Sequence, residues 1–396
     1  MKITMPLPWE ENRGNTPEEI LQTRRDIAEA HMRSMGSRLW RAAEDVTYTL
    51  LNNILPEESD DWHRLAIRAG RLYQGVPYSF AGCADAAFWD FAGEADEQGI
   101  LPVSGLHWKA FSGSGVKTAR IGNDCASAVM QAWSRVGSSI QFTNTKTMTQ
   151  ALGYLPVGEY ATDPKEYTST KALCRENGEQ TMFEAYACLR KADALVCREP
   201  GFGHALMVVR VEVIRRADGS IDGDASFAVT MEQSRMPLMN GEKYFHPELQ
   251  EDVYITFSID RKYSFCEIIK EGYLPVTCRE LVDPAPAAVP TVWDSLEERD
   301  GSSLLAGAIH ANWPIDCVTI AITDADGAPV QQGTAYARRG PERYALQLQQ
   351  FLSDEPEQMR GRVAPEELPA GSYRCTITCR LSSGQSCTVR DFAFEK

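Results

Sequence analysis

The chain has 396 residues, of which 43% are hydrophobic and 24% charged, enough apolar content to build the cores of two or three domains. Its formal net charge of −15 argues against nucleic acid and anionic membrane surfaces as partners, and no apolar run reaches the roughly eighteen residues of a membrane span. Eleven cysteines leave at least one thiol unpaired, and no pair of CxxC knuckles marks a structural zinc site.

The first residues, from Met1 through Glu11, lack the apolar core of a secretory signal, which leaves retention inside the cell, a signal absent from this chain, or export by another route. Thr16-Pro17-Glu18-Glu19 is a helix start, with Thr at the cap, Pro at the first helical position and Glu at the third. Ile20, Leu21, Ile27, Ala28, Met32, Met35, Leu39 and Trp40 then recur at helical spacing, and the pattern predicts helical structure over 16–55. A further helix is expected over 61–73, where Leu65, Ala66, Ala69 and Leu72 share a face. Gly75 and Pro77 turn the chain and leave Tyr78 on an extended segment, either as a packing residue or with its hydroxyl at a cleft. Residues 83–120 are loop-rich, with a short aromatic helix at 87–91 and a turn at Ser112-Gly113-Ser114-Gly115.

Gly122-Asn123-Asp124-Cys125 leads into Ala128, Val129, Ala132 and Trp133 at helical spacing. Asn123 or Asp124 can cap this helix and set Cys125 in its first turn. Unpaired N–H groups and the positive dipole end there favour a thiolate and can stabilise an oxyanion. A buried structural cysteine is the bland alternative. Cys83, after Gly82, is the rival nucleophile, but it lacks the Asn-Asp cap.

Residues 138–190 are mostly polar and irregular, with a helix expected over 179–191. Strands follow at 192–197, at 201–214 with His204 near its start, and at 227–233, with Asp218-Gly219 turning the second into the third. Further strands are expected at 253–259 and 266–269. A Cys–His pair needs a third polar group to hold the imidazole, and the 227–233 strand offers Glu232, with Gln233 in reserve. Either side chain could instead be a solvent-facing strand tip. The Pro/Ala-rich run at 283–290 is a semi-rigid linker. Beyond it, short strand-like runs at 304–311, 317–322, 373–380 and 386–394 predict a small β-sandwich. Cys375 and Cys379 lie four residues apart on one such run, roughly 13 Å when extended, too far for a mutual disulfide.

Five pieces in order carry a resemblance: Gly75-Val76-Pro77-Tyr78, Asp124-Cys125-Ala126-Ser127, Asp193-Ala194-Leu195-Val196, Gly203-His204-Ala205-Leu206-Met207-Val208, and the strand end at Glu232-Gln233. Over roughly residues 60–282 the chain resembles the NlpC-type papain-like cysteine peptidases of bacterial cell-wall turnover and the related CHAP amidases. It departs from them at Ala126, where serine is usual, and in a longer insertion between Tyr78 and Cys125. The pattern predicts an α+β chain with a helical N-terminal extension over 1–59, a linker over 284–290 and a small all-β Ig-like sandwich over 291–396, and the resemblance implies that 60–283 is a papain-like catalytic domain. It implies Cys125 as nucleophile, His204 as general base and acid, and Glu232 or Gln233 as the imidazole's orienting group. Tyr78, Asp124 and Ser127 fall at its substrate and oxyanion positions, with Asp124 on the substrate's free amino group. The implied reaction is hydrolysis of amide bonds in peptidoglycan stem peptides, next to D-glutamate and a diamino acid, without metal or organic cofactor. The implied setting is the cell envelope, with the C-terminal domain against the cell wall or the catalytic domain. Acyl transfer by the same pair, or a catalytically inactive peptide-binding module, are the alternatives.

Overall fold

Thr16 opens helix α1 (Pro17–Ser37) with a reciprocal capping box: its backbone N–H donates to Glu19 Oε2 at 2.7 Å, and its hydroxyl accepts from the Glu19 N–H at 3.3 Å. The computed structural model describes residues 2–9, 15–50, 57–79, 88–90, 92–104, 111–112, 115–116, 122–140, 142, 144–150, 154–296, 306–337, 344–348, 351 and 359–396. Over them the chain is α+β.

Helix α1 buries Ala28, Met32 and Met35 toward helix α2 (Cys125–Ser134). Two arginines fasten it. Arg25 pairs with Asp193 Oδ1 at 2.8 Å and donates to the Lys191 and Leu281 carbonyls, both ionic side chains being almost fully buried. Arg24 donates to the carbonyls of Glu280, Asp283 and Ala285, which ties down the start of the Pro/Ala run.

Six strands make the central sheet: β1 (Tyr154–Pro156), β2 (Ala194–Glu199), β3 (Phe202–Glu212), β4 (Phe227–Glu232), β5 (Ser258–Ser264) and β6 (Leu274–Cys278). Their order is β5-β4-β3-β2-β6-β1, antiparallel throughout. Ala194, Val196, Ala205, Met207 and Met231 share a core with the apolar side of α2. Leu195, Leu206 and Val208 pack the opposite face against Phe183, Tyr186 and Phe265. Burial on both faces explains the near-continuous apolar run of 205–209.

Several expected elements differ. The helical piece expected after α1 is instead a pair of strands, Leu39–Ala42 and Val46–Thr49. The helix expected over 61–73 is also two strands, Arg64–Ile67 and Leu72–Gln74, with Gly70 at φ +75° in the turn between them. Leu65 and Ile67 are buried in alternation, and partners far along the chain take up the backbone groups. The run 253–259 splits between Glu251–Ile255 and β5, which belong to different sheets. The run 266–269 lies in a helix, Phe265–Glu271, opened by a Ser264/Glu267 capping box. The stretch expected to be irregular before 179 contains helices Thr145–Gln150 and Thr170–Asn177 as well as β1.

Beyond the linker, Met359–Arg362, Pro329–Tyr336, Ile315–Asp324, Ser372–Leu381 and Ser386–Glu395 form one sheet. Thr291–Asp294, Ala308–Ala311 and Ala345–Gln347 form a second, whose outer strand is the N-terminal Lys2–Thr4. Both sheets share one core around Val292, Ile309, Trp313, Ile320 and Ile377. The first residues of the expected N-terminal extension therefore complete the C-terminal sandwich. That sandwich meets the rest of the chain through Ser382, whose hydroxyl donates to the Ser134 carbonyl at 3.0 Å, and through Arg380 on Asp90 at 3.0 Å. Cys375 and Cys379 are free thiols on one strand. No helix among the described residues is long and apolar enough to cross a membrane.

Candidate active site

Gly122 sits at φ +110°, and a Cβ on it would lie 2.1 Å from the Pro77 carbonyl oxygen. Glycine thus lets the 76–79 segment lie directly against the chain entering α2. Tyr78 and Asn123 form a parallel bridge, and the Ser79 N–H donates to the Asn123 carbonyl at 3.0 Å. The buried Asn123 side chain extends the junction: its Nδ2 meets Met35 Sδ at 3.3 Å, and its Oδ1 accepts from Gln233 Nε2 at 3.1 Å. Gln233 also donates to the Val76 carbonyl at 2.6 Å. Helix α1, the Tyr78 segment, the Cys125 loop and the end of β4 are thereby locked together.

Asp124 is the N-cap of α2. Its Oδ1 accepts from the Ser127 N–H at 2.8 Å, and its own N–H donates to Ser127 Oγ at 2.9 Å. Cys125 therefore occupies the first helical position, with 6% of its surface exposed. The box satisfies the third helical N–H, and the Ala128 N–H donates to the Asp124 carbonyl. The N–H groups of Cys125 and Ala126 have no helical acceptor.

His204, the third residue of β3, comes close enough to Cys125 for the sulfur to act on the charge of its imidazole. Its Nε2 donates to Glu232 Oε2 at 2.7 Å, which leaves Nδ1 for the sulfur side. The second carboxylate oxygen of Glu232 accepts from the Tyr263 hydroxyl at 2.8 Å and from Arg261 Nη1 at 3.2 Å. The ring of Tyr273 flanks the imidazole, centroids 6.4 Å apart. Burial pulls the His204 imidazolium toward deprotonation, but the Cys125 sulfur and the Glu232 carboxylate outweigh it and raise its pKa to about 10. For Glu232 burial works upward, yet bonds from His204 and Tyr263 and the Arg261 charge hold the carboxyl below its ordinary range.

The other thiols contrast with this arrangement. Cys197 is the Cα partner of His204 across the β2–β3 ladder, but burial pushes it up to about 12. Burial likewise raises Cys174 to about 11 and Cys317 and Cys375 to about 12. Cys188 is exposed.

The structure thus brings Cys125, His204 and Glu232 together. Gln233 is not at the imidazole; β4 ends at Glu232, and the next side chain turns into the Asn123 junction. Asp124 and Ser127 face each other in a closed, buried cap rather than an open cleft. Tyr78 is half-buried, and its carbonyl accepts from the Tyr48 hydroxyl at 2.9 Å. Cys83 lies outside the described residues. Sequence reasoning missed Asn123 as a junction and Tyr263 and Arg261 as the holders of Glu232. The last two sit two apart on β5, a spacing that puts both on one face once that strand is known to border β4. A scan against protein-family models and a search of curated proteins both return no match.

Proposed function

We propose that the protein is a papain-like cysteine hydrolase that cleaves amide bonds in peptidoglycan stem peptides. The observation that carries the chemistry is Cys125 at a capped helix start, electrostatically coupled to a histidine that Glu232 holds through Nε2. A helix-borne cysteine, a strand-borne histidine and a carboxylate on the next strand support the papain-like assignment. The five sequence motifs support the substrate class.

In this mechanism His204 takes the Cys125 proton and becomes an imidazolium, so the sulfur attacks as thiolate. The new S–C bond pushes the carbonyl electron pair onto oxygen, and the Cys125 and Ala126 N–H groups receive that oxyanion. Collapse breaks the C–N bond while His204 donates its proton to the departing amine, leaving a thioester and a neutral imidazole. Water then attacks the thioester, His204 takes its proton, and the thiolate leaves with the acid product released. Glu232 keeps the ring in one orientation and stabilises each imidazolium state.

The test is digestion of muropeptides in heavy-oxygen water followed by mass spectrometry. The label enters one new carboxyl group per cleavage, and Cys125→Ala yields none. Intact muropeptides beside a reactive Cys125 would remove the substrate class. One observation favours acyl transfer instead: Phe202, two residues before His204, is 57% exposed and offers an apolar surface to a non-water acceptor. Adding alkyl amines to the same digest decides this, since transfer replaces the labelled acid by an amide.

A further inference from the structure

Beyond β4 the chain passes Gln233, which is bonded to the Cys125 loop, and two residues later reaches Arg235. The Arg235 guanidinium lies over the Trp62 indole, 4.0 Å from the ring centroid, and half of Trp62 is exposed. Among the described residues Arg235 makes no ion pair. Tyr78 and Asp60 are the titratable groups that act on its charge. Asp60 is engaged elsewhere, accepting from the His63 backbone N–H at 2.9 Å and meeting His63 Nδ1 at 2.8 Å. Burial lowers the Arg235 pKa, and Tyr78 and Asp60 offset this only in part. The half-buried guanidinium lies where Tyr78 acts on its charge, and the Tyr78 backbone is bridged to the entry of the Cys125 helix. Arg261, by contrast, is already committed to Glu232.

We propose that Arg235, backed by Trp62, is a carboxylate-binding residue of the substrate cleft on the Tyr78 side of Cys125. A planar guanidinium pairs with a carboxylate through two parallel N–H···O bonds, and the indole face keeps it oriented when the site is empty. The assignment rests on the hydrolase proposal in one respect, that the ligand is the amide substrate. It adds that the substrate carries a free carboxylate, so peptides amidated at that group are poor substrates.

Two haloacetyl reagents test this without a known substrate. Iodoacetate and iodoacetamide both form an S–C bond and expel iodide, but only the first carries a carboxylate. The ratio of their rates at Cys125 cancels any general change in thiol reactivity. That ratio is expected to fall about tenfold in Arg235→Met, the worth of one charge-assisted hydrogen bond, and to be largely kept in Arg235→Lys. A parallel titration on Cys125→Ala protein needs no thiol chemistry: N-acetylglutamate binds, N-acetylglutamine amide does not, and Arg235→Met abolishes the difference. The proposal is overturned if Arg235→Met leaves both the rate ratio and the acid-over-amide preference unchanged. A Cys125 that reacts slowly and independently of His204 contradicts the hydrolase proposal instead, and the titration alone then decides the subsite.

Discussion

Two buried cysteines border His204, and they sit on different kinds of backbone. Cys197 lies opposite the histidine in the sheet ladder, in a strand buried on both faces, and burial drives its thiol up to about 12. Cys125 approaches from a helix start, where the backbone presents N–H groups and the sulfur acts on the charge of the imidazole. Nearness to a histidine does not make a nucleophile. What separates the two is the backbone on which each thiol sits, since a strand interior has its N–H groups consumed by the ladder and a helix start does not.

The largest expected effect short of removing the pair itself comes from Glu232→Gln. It keeps the shape and removes the charge, so the imidazolium loses one of the groups that raise its pKa to about 10. The alkaline limb of kcat/KM should therefore move down toward the ordinary histidine range, with the maximal rate about tenfold or more lower. An unmoved limb would show that Glu232 does not act through His204. The sign for stability follows from the same shifts. The raised His204 contributes stabilisation that is complete below about pH 6.5 and is lost as pH rises through about 10. The lowered Glu232 contributes stabilisation present above the ordinary carboxylate range and lost as pH falls through its folded value.

Gln233→Met is expected to act on stability rather than chemistry. It leaves the Val76 carbonyl and Asn123 Oδ1 without their donor, at a cost of about 1–3 kcal/mol in urea melts, with the pH profile of Cys125 alkylation unchanged. A shifted profile would return Gln233 to the imidazole. Cys197→Ser should change Cys125 alkylation less than about twofold, because burial rather than proximity sets the Cys197 thiol's behaviour. A larger loss would mean that the ladder cysteine shares the chemistry.

The same contrast between local and distant causes explains what the sequence made legible. The Thr16 capping start and the Asp124–Ser127 cap depend on residues three apart, and the helices begin where those patterns place them. The Ser264-x-x-Glu267 box is just as local, and it opens a helix over a run whose Ile268 and Ile269 by themselves suit a strand. Strands at 39–49 and 64–74 could not be read locally, because their partners lie elsewhere in the chain, as far as Glu251–Ile255. Cys125, His204 and Glu232 were visible as residue types in order. The choice of Glu232 over Gln233 waited on where β4 ends, and Tyr263 and Arg261 on which strand borders it.

The central claim is that Cys125 and His204 form an activated pair, and site-resolved alkylation by limiting iodoacetamide over about pH 5 to 8 tests it most directly. Exposed Cys188 serves as the internal reference for an accessible thiol. Cys125 should label well ahead of Cys188 at the acidic end, and His204→Ala should erase that lead by about a hundredfold. Labelling of Cys125 no faster than Cys188, or a lead that survives His204→Ala, would contradict the account.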